Sequence, residues 1–512
     1  MDFRDIYVYP NGGCASVALR ILKDLTNIEN IRFIDDGSSE TSLKILKEEI
    51  IKSNLPVLLL GGDCYATLED RCKKEGIEYI NGISLCARLL ANALSAGGGG
   101  FILRDNILHI SNTQLLEHAY MFHNFFLSYA SKCDMDLVLE ALRQYCKNII
   151  QDSSVKKFLQ NTLLVSFSSD FLSITKNFQQ DIPLLWYFGT YEWYEINKHS
   201  IKKDTKVIVC NWVLLDYFIY DTALLGGGAL PKLRNDKRNI YGIGHSMAEA
   251  FYYAPLREKK EYLDVRVYNA FCAFSHYIAI NKDSKRAFKS MFDAVGLEVC
   301  VVEGGYPRFD NRFQKRQAFK CNKEQFLFIP RLSKPHELLE IISYLLDNGK
   351  KVLLRRHGAY ENYIKWQGLD DPYKVLEAFK QDPNFSFDET PSITNEILDK
   401  SIVVTDNSSV AYSAPLVSLT PCILYSIPKN EFDLRIRNYG ISFANPLLHR
   451  VALDDEEFFR VSLDLETELS VNSEKITKEI QDYVLDNFYN LGCSAEMIAK
   501  TLLESFKKQQ LV

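Results

Sequence analysis

The sequence predicts an α/β fold of parallel sheets, and three observations carry that prediction. Short apolar runs alternate with helical patterns along most of the chain. Many of those runs end in Gly, Asp or Ser, residues suited to turning a strand into a helix, as in Pro56-Val57-Leu58-Leu59-Leu60-Gly61-Gly62-Asp63. The rhythm gives way to a polar stretch around 146–160, then restarts near 162 and again near 325. Three units follow: an amino-terminal domain with a helical extension over 1–150, a second domain over 151–322, and a third over 323–512 that carries carboxyl-terminal helices.

Bulk properties narrow the function classes. A chain of 512 residues should hold roughly two to four domains, because single cores rarely grow beyond about 250–300 residues. With 47% hydrophobic and 25% charged residues the composition is that of a globular protein. A net charge of −6 gives no global signature of nucleic-acid binding. The 12 cysteines form no CxxC pair, which argues for reduced thiols and against a zinc or disulfide framework. The opening MDFRDIYVYPNGG has no signal-peptide core, and no run approaches the ~18 apolar residues of a membrane span. The expected location is the cytoplasm, with room for peripheral attachment to the inner face of the membrane.

In the first domain, Ile6-Tyr7-Val8-Tyr9 reads as a strand, Asn11-Gly12-Gly13 as its turn, and Cys14 to Leu25 as a helix. Gly12 and Gly13, with Asp35 or Asp36 at the end of the next run, form a partial dinucleotide-site pattern that lacks the full GxGxxG. Residues 81–150 read as mainly helical, interrupted by the glycines 97–100 and a short apolar piece over 101–110. The glycines have no following Lys-Ser/Thr, so they are not a P-loop.

The second domain restarts at Thr162-Leu163-Leu164-Val165-Ser166, with further strands near 183–189 and 206–211. In Tyr241-Gly242-Ile243-Gly244-His245 the two glycines leave little side-chain bulk near an imidazole able to act as a base at neutral pH. The alternative is a histidine that packs a loop. Arg308 in Gly304-Gly305-Tyr306-Pro307-Arg308-Phe309-Asp310 can face phosphate through paired donors. Its alternative is a surface loop closed by Arg308 and Asp310.

In the third domain, Lys351-Val352-Leu353-Leu354 leads into Arg355, Arg356 and His357, which together suit a diphosphate and its leaving group. Residues 401–426 read as strand, turn, helix and strand, with Asp406, Ser408 and Ser409 at the first strand's carboxyl end. Open α/β sheets bind their ligands there. A helix starting near Ser408 would present unpaired N–H groups to an anion, and the hydroxyls would add donors. Simple helix capping is the bland alternative. A charged helix is expected over 472–508.

Gly244-His245-Ser246, Gly305-Tyr306-Pro307-Arg308-Phe309-Asp310, Arg355-Arg356-His357 and Thr405-Asp406-Asn407-Ser408-Ser409-Val410-Ala411 together resemble the CDP-glycerol glycerophosphotransferase family, over roughly 180–430. The resemblance implies a GT-B-like pair of Rossmann-type domains, here preceded by the additional small α/β domain. It further implies His245 as general base on an acceptor hydroxyl and His357 on the leaving diphosphate. Ser408 and Ser409 would hold phosphate, Asp406 would shape the loop, and Arg308 and Arg355 would add positive charge. No resident cofactor or metal is implied. The partners would be a CDP-linked donor and a bacterial surface-glycan acceptor, such as a capsule, teichoic-acid-like polymer or lipooligosaccharide. Gly244, Ser246, Gly358 and Asn407 depart from the family pattern, which leaves the transferred group open between glycerol phosphate, another polyol or amidated phosphate, and a sugar. A nucleotide-sugar glycosyltransferase is therefore the alternative, followed by an NAD-dependent oxidoreductase built on 1–75 and a non-catalytic sugar-nucleotide-binding protein.

Overall fold

The computed structural model describes residues 4–510 except 11–12, 37–39, 63–64, 98, 128, 179–181, 245–259, 315–322, 331–334, 357–370, 391–392, 407 and 426–443. Among the described residues there are three sheets. The first contains β1 (Asp5–Tyr9), β2 (Asn30–Phe33), β3 (Val57–Leu59) and β4 (Tyr79–Asn81), all parallel, in the order β2-β1-β3-β4. Side chains alternate across it. Ile6 and Val8 join the core under the helices Gly13–Leu25 and Gly82–Ala96, while Tyr7 and Tyr9 pack on the opposite side with Leu43, Ile50 and Leu68.

The second sheet has nine strands: β5 (Phe101–Arg104), β6 (Ile107–Ile110), β7 (Leu163–Ser166), β8 (Leu184–Phe188), β9 (Lys206–Val209), β10 (Thr222–Gly226), β11 (Asn239–Ile243), β12 (His276–Ala279) and β13 (Cys300–Glu303). Their order is β13-β12-β11-β10-β7-β8-β9-β6-β5. The short apolar piece over 101–110 is thus an antiparallel hairpin at the edge of the second sheet, β6 running parallel to β9. Its turn places Asp105 and Asn106 at φ 48° and 63°, the left-handed pair that two-residue hairpins require.

The third sheet contains β14 (Gln325–Ile329), β15 (Lys351–Leu354), β16 (Phe385–Phe387), β17 (Ser401–Thr405), β18 (Cys422–Tyr425) and β19 (His449–Ala452), all parallel, in the order β16-β15-β14-β17-β18-β19. From β7 onward in the second sheet, after the edge hairpin β5–β6, and from β14 in the third, each sheet starts in the middle, runs to one side, then returns and continues to the other. Their topological switch points lie between β7 and β10 and between β14 and β17. Crevices at such points, outside the carboxyl ends of the strands, are where doubly wound sheets bind ligands. The architecture is two Rossmann-like domains preceded by a small α/β domain, the GT-B-like class expected from the sequence.

In place of the one charged helix expected over 472–508 there are Asp455–Asn487, kinked at Asn472 where φ −121° and ψ 19° are not helical, and Ser494–Gln510. The first starts earlier because Asp454 caps it, accepting from Glu457 N–H. It ends where Phe488 turns extended, and Asn490 and Gly492 follow at positive φ. The second helix returns to the middle sheet, where Ile498, Leu502 and Phe506 cover Val165, Trp186, Leu224 and Tyr241.

Candidate functional site

The third sheet supplies the most fully described site. β17 is buried along its whole length, as a central parallel strand should be, and its last residues turn at the switch point. Asp406 is buried, and its Oδ1 accepts from Ser408 N–H at 3.1 Å, an Asx turn that fixes the loop. Helix Val410–Ser418 begins immediately afterwards. The Ser408 hydroxyl lies 3.5 Å from Val410 N, at the outer limit of a hydrogen bond, and Ser409 makes no side-chain cap bond. Capping therefore does not consume the Ser409 hydroxyl.

That helix is anchored from behind. Pro415 lies inside it, so Ala411 O has no N–H to receive one turn later. His449 Nε2 approaches Ala411 O at 2.8 Å, while His449 Nδ1 accepts from Asn445 N–H at 2.9 Å. This pattern defines a neutral ring protonated at Nε2. Burial depresses the His449 pKa to about 4, against the opposing bond to Ala411. The Cys422 thiol also reaches Ala411 O, at 3.4 Å.

A narrow recess opens beside the loop, lined by Phe328, Pro330, Glu337, Val404, Asp406 and Tyr425 among others. Glu337 and Tyr425 did not stand out in the sequence because they come from separate elements, a short 3-10 turn and the end of β18. The Tyr425 hydroxyl donates to Asp455, at the start of the long helix.

The candidate arginines have partners of their own. Arg355 Nη1 donates to Asp388 Oδ2 at 2.5 Å and to Thr390 Oγ1 at 3.1 Å. Burial pushes the Asp388 carboxyl up, but bonds from Thr390 and the charge of Arg355 outweigh it and hold the pKa below its ordinary value. Because Asp388 follows β16, this pairing turns Arg355 toward the sheet edge opposite β17. The Arg356 guanidinium lies over the Phe387 ring at 4.5 Å and near Glu377 and Glu389 at 3.9 and 4.0 Å. Arg308 is exposed on helix Pro307–Gln314, 6.0 Å from the Tyr306 ring.

On the middle sheet, β11 carries Gly242, paired with Tyr277 of β12. A Cβ at Gly242 would lie 2.5 Å from the Tyr277 ring. The space left by that glycine is thus filled by an aromatic ring in the core. At the switch point itself, Gly226 N–H donates to Ser166 Oγ at 3.1 Å and ties β10 to β7. His245, His357 and Gly12 lie outside the described residues. Gly13 begins the helix that follows β1.

Comparison with known proteins adds a likeness of backbone. No family profile matches the chain, and no curated protein matches it. Among solved structures, a wall teichoic acid polymerase aligns with 78% of this chain and 100% of its own at 13% identity, with a TM-score of 0.47. The UDP-GlcNAc 2-epimerase of Methanocaldococcus jannaschii, solved with UDP-GlcNAc and UDP, covers 67% of this chain and 99% of its own at 12% identity, with a TM-score of 0.42. The corresponding epimerase of Rickettsia bellii covers 68% and 96% at 13% identity, with a TM-score of 0.39. Among the described residues no helix is long and apolar enough to cross a membrane, and no group of three or more His, Cys, Asp or Glu residues could hold a metal ion.

Proposed function

We propose that this chain is a transferase that moves a polyol-phosphate or related phosphoryl-linked group from a CDP-activated donor to a bacterial surface glycan. The observation carrying this reading is the Ser408-Ser409 turn at the switch point between β14 and β17. It combines the start of a helix with a serine hydroxyl that capping leaves unused, a combination suited to a phosphate. The motif resemblance supplies the remaining roles. His245 takes the proton of the acceptor hydroxyl as its oxygen attacks the donor phosphorus. The bond to the CMP leaving group breaks, and His357 with the two serines stabilises the released phosphate. A nucleotide-sugar glycosyltransferase would use the same turn, with attack at the sugar carbon instead.

Release of nucleotide from CDP-glycerol, CMP-sugar, UDP-sugar and GDP-sugar panels separates the two. Turnover of CDP-glycerol, lost in His245→Ala and His357→Ala, is the expected result. Turnover of only UDP- or GDP-sugars would replace the first reading by the second, and unchanged turnover in both histidine variants would remove the mechanism.

A further inference from the structure

We propose that the short helix Tyr191–Asn197 is a platform for the acceptor, binding an uncharged, extended oligosaccharide against its aromatic rings. The inference rests on the reading that the acceptor is a glycan, and assigns it a place.

None of the seven residues of this helix is buried. Tyr191, Trp193 and Ile196 are 45%, 47% and 57% exposed, a concentration of apolar surface that calls for an occupant. The rings are nevertheless held in place from beneath. His109 stacks on Tyr191 at 5.1 Å, Phe167 meets Trp193 edge-on at 6.3 Å, and Tyr194 packs edge-on against Phe188 at 5.4 Å. The Thr190 hydroxyl caps the helix by accepting from Trp193 N–H at 3.1 Å. A surface ordered in this way loses little side-chain freedom when it binds.

Position and charge select the occupant. The helix follows β8, Phe167 follows β7, and His109 belongs to the carboxyl half of β6, so the platform lies on the ligand-binding edge of the middle sheet. It begins beside the switch point between β7 and β10. From β8 to β11, whose end leads to His245, is three strand spacings, about 14 Å. An extended chain of sugars can bridge that distance; a single small acceptor cannot. Over 190–204, Glu192, Glu195 and Asp204 balance Lys198, Lys202 and Lys203. A surface that docks on anionic lipid carries an excess of Lys and Arg, and this one has none. Flat rings interleaved with carboxylates and the Asn197 amide instead match the apolar faces and hydroxyl edges of sugars.

The test is quenching of tryptophan fluorescence by chitotetraose, maltotetraose and mannotetraose in the full chain without any nucleotide, beside co-sedimentation with phosphatidylglycerol vesicles. The expected result is saturable binding of at least one oligosaccharide, weakened roughly tenfold or more in Trp193→Ala and retained in Trp193→Phe, when followed by calorimetry. Binding by none of the three, equal binding by Trp193→Ala, or sedimentation with vesicles that depends on Trp193 would each overturn the proposal. Because no donor is present, failure of the transfer assay leaves this outcome standing, and failure here leaves donor turnover untouched.

Discussion

Asp310 holds Ser494 with both of its carboxylate oxygens: Oδ2 accepts from Ser494 N–H and Oδ1 from the Ser494 hydroxyl, each at 2.9 Å. Oδ1 also accepts from Gly492 N–H at 2.9 Å. The Ser494 hydroxyl in turn accepts from Tyr306 N–H at 3.1 Å. Gly305, at φ 87°, leaves no room for a side chain, since a Cβ there would sit 2.3 Å from Ser494 Oγ. The Gly305-to-Asp310 motif therefore fastens the returning helix to the middle domain. Asp310→Asn would turn an amide against donors that need an acceptor, and should cost about 2–4 kcal/mol. Chemical denaturation checks this, and a change below about 0.5 kcal/mol would show that the clasp contributes little.

Ser409 separates ligand binding from helix stability. Its hydroxyl makes no cap bond, so Ser409→Ala should change stability by less than about 0.5 kcal/mol. Ser409→Asp should be neutral to stabilising by up to about 1 kcal/mol, because a carboxylate suits a helix amino terminus. Under the proposed function both lower donor affinity, the aspartate more strongly since it repels phosphate. Melting temperature and nucleotide affinity, measured on the same samples, give the comparison. A loss of stability in Ser409→Ala would return this serine to a capping role.

Acid should weaken the fold through two buried histidines. Burial holds His123 and His449 near pKa 4, whereas the unfolded ring titrates near 6.5. Between those values the unfolded chain binds more protons, so stability rises with pH and is fully present above about 6.5. On acidification it is lost progressively toward pH 4, by up to roughly 3 kcal/mol per histidine. His449→Leu should make that slope shallower. It should also cost about 1–3 kcal/mol at pH 7, because Ala411 O loses a partner. Urea midpoints at pH 7 and pH 5 read both effects.

A fourth expectation concerns Asp216 and Arg238, a buried pair at 2.8 Å in the middle domain. Asp216 Oδ2 also accepts from the backbone of Leu233 and Arg234. The pair thus fixes the loop between β10 and β11. Arg238→Met alone should cost about 3–5 kcal/mol by leaving the buried Asp216 carboxylate without its ion partner, and Asp216→Leu should cost less, because Arg238 Nε keeps Asp236 Oδ1 at 2.8 Å. The double variant should cost less than the sum of the two, measured as a coupling energy in a denaturation cycle.

The three α/β units could be read from the sequence because parallel strands buried on both faces show as short apolar runs. Val403 and Val404 show this in β17, as do Leu164 and Val165 in β7. The hairpin over 101–110 could also have been found, since Asp105-Asn106 between the apolar runs Phe101-Ile102-Leu103 and Ile107-Leu108 is a two-residue turn signal. Asn490-Leu491-Gly492 likewise marks the break between the last two helices. What stayed hidden depends on partners distant in sequence. Asp310 gives no local sign that it meets Ser494, nor Arg355 that Asp388 holds it. Gly242 looked like open space beside a histidine until the Tyr277 ring was placed there. At the site, the Asp406-to-Ser409 turn could be located from sequence, but not that capping leaves Ser409 unused.

The return of helix Ser494–Gln510 to the middle sheet also fixes an order of events during synthesis. The apolar face formed by Val165, Trp186, Leu224 and Tyr241 leaves the ribosome long before the residues that cover it. Until Ile498, Leu502 and Phe506 emerge, that face stays open to chaperones or to neighbouring nascent chains. A premature stop within the last two helices would therefore leave the middle domain, translated first, as the part that fails to mature.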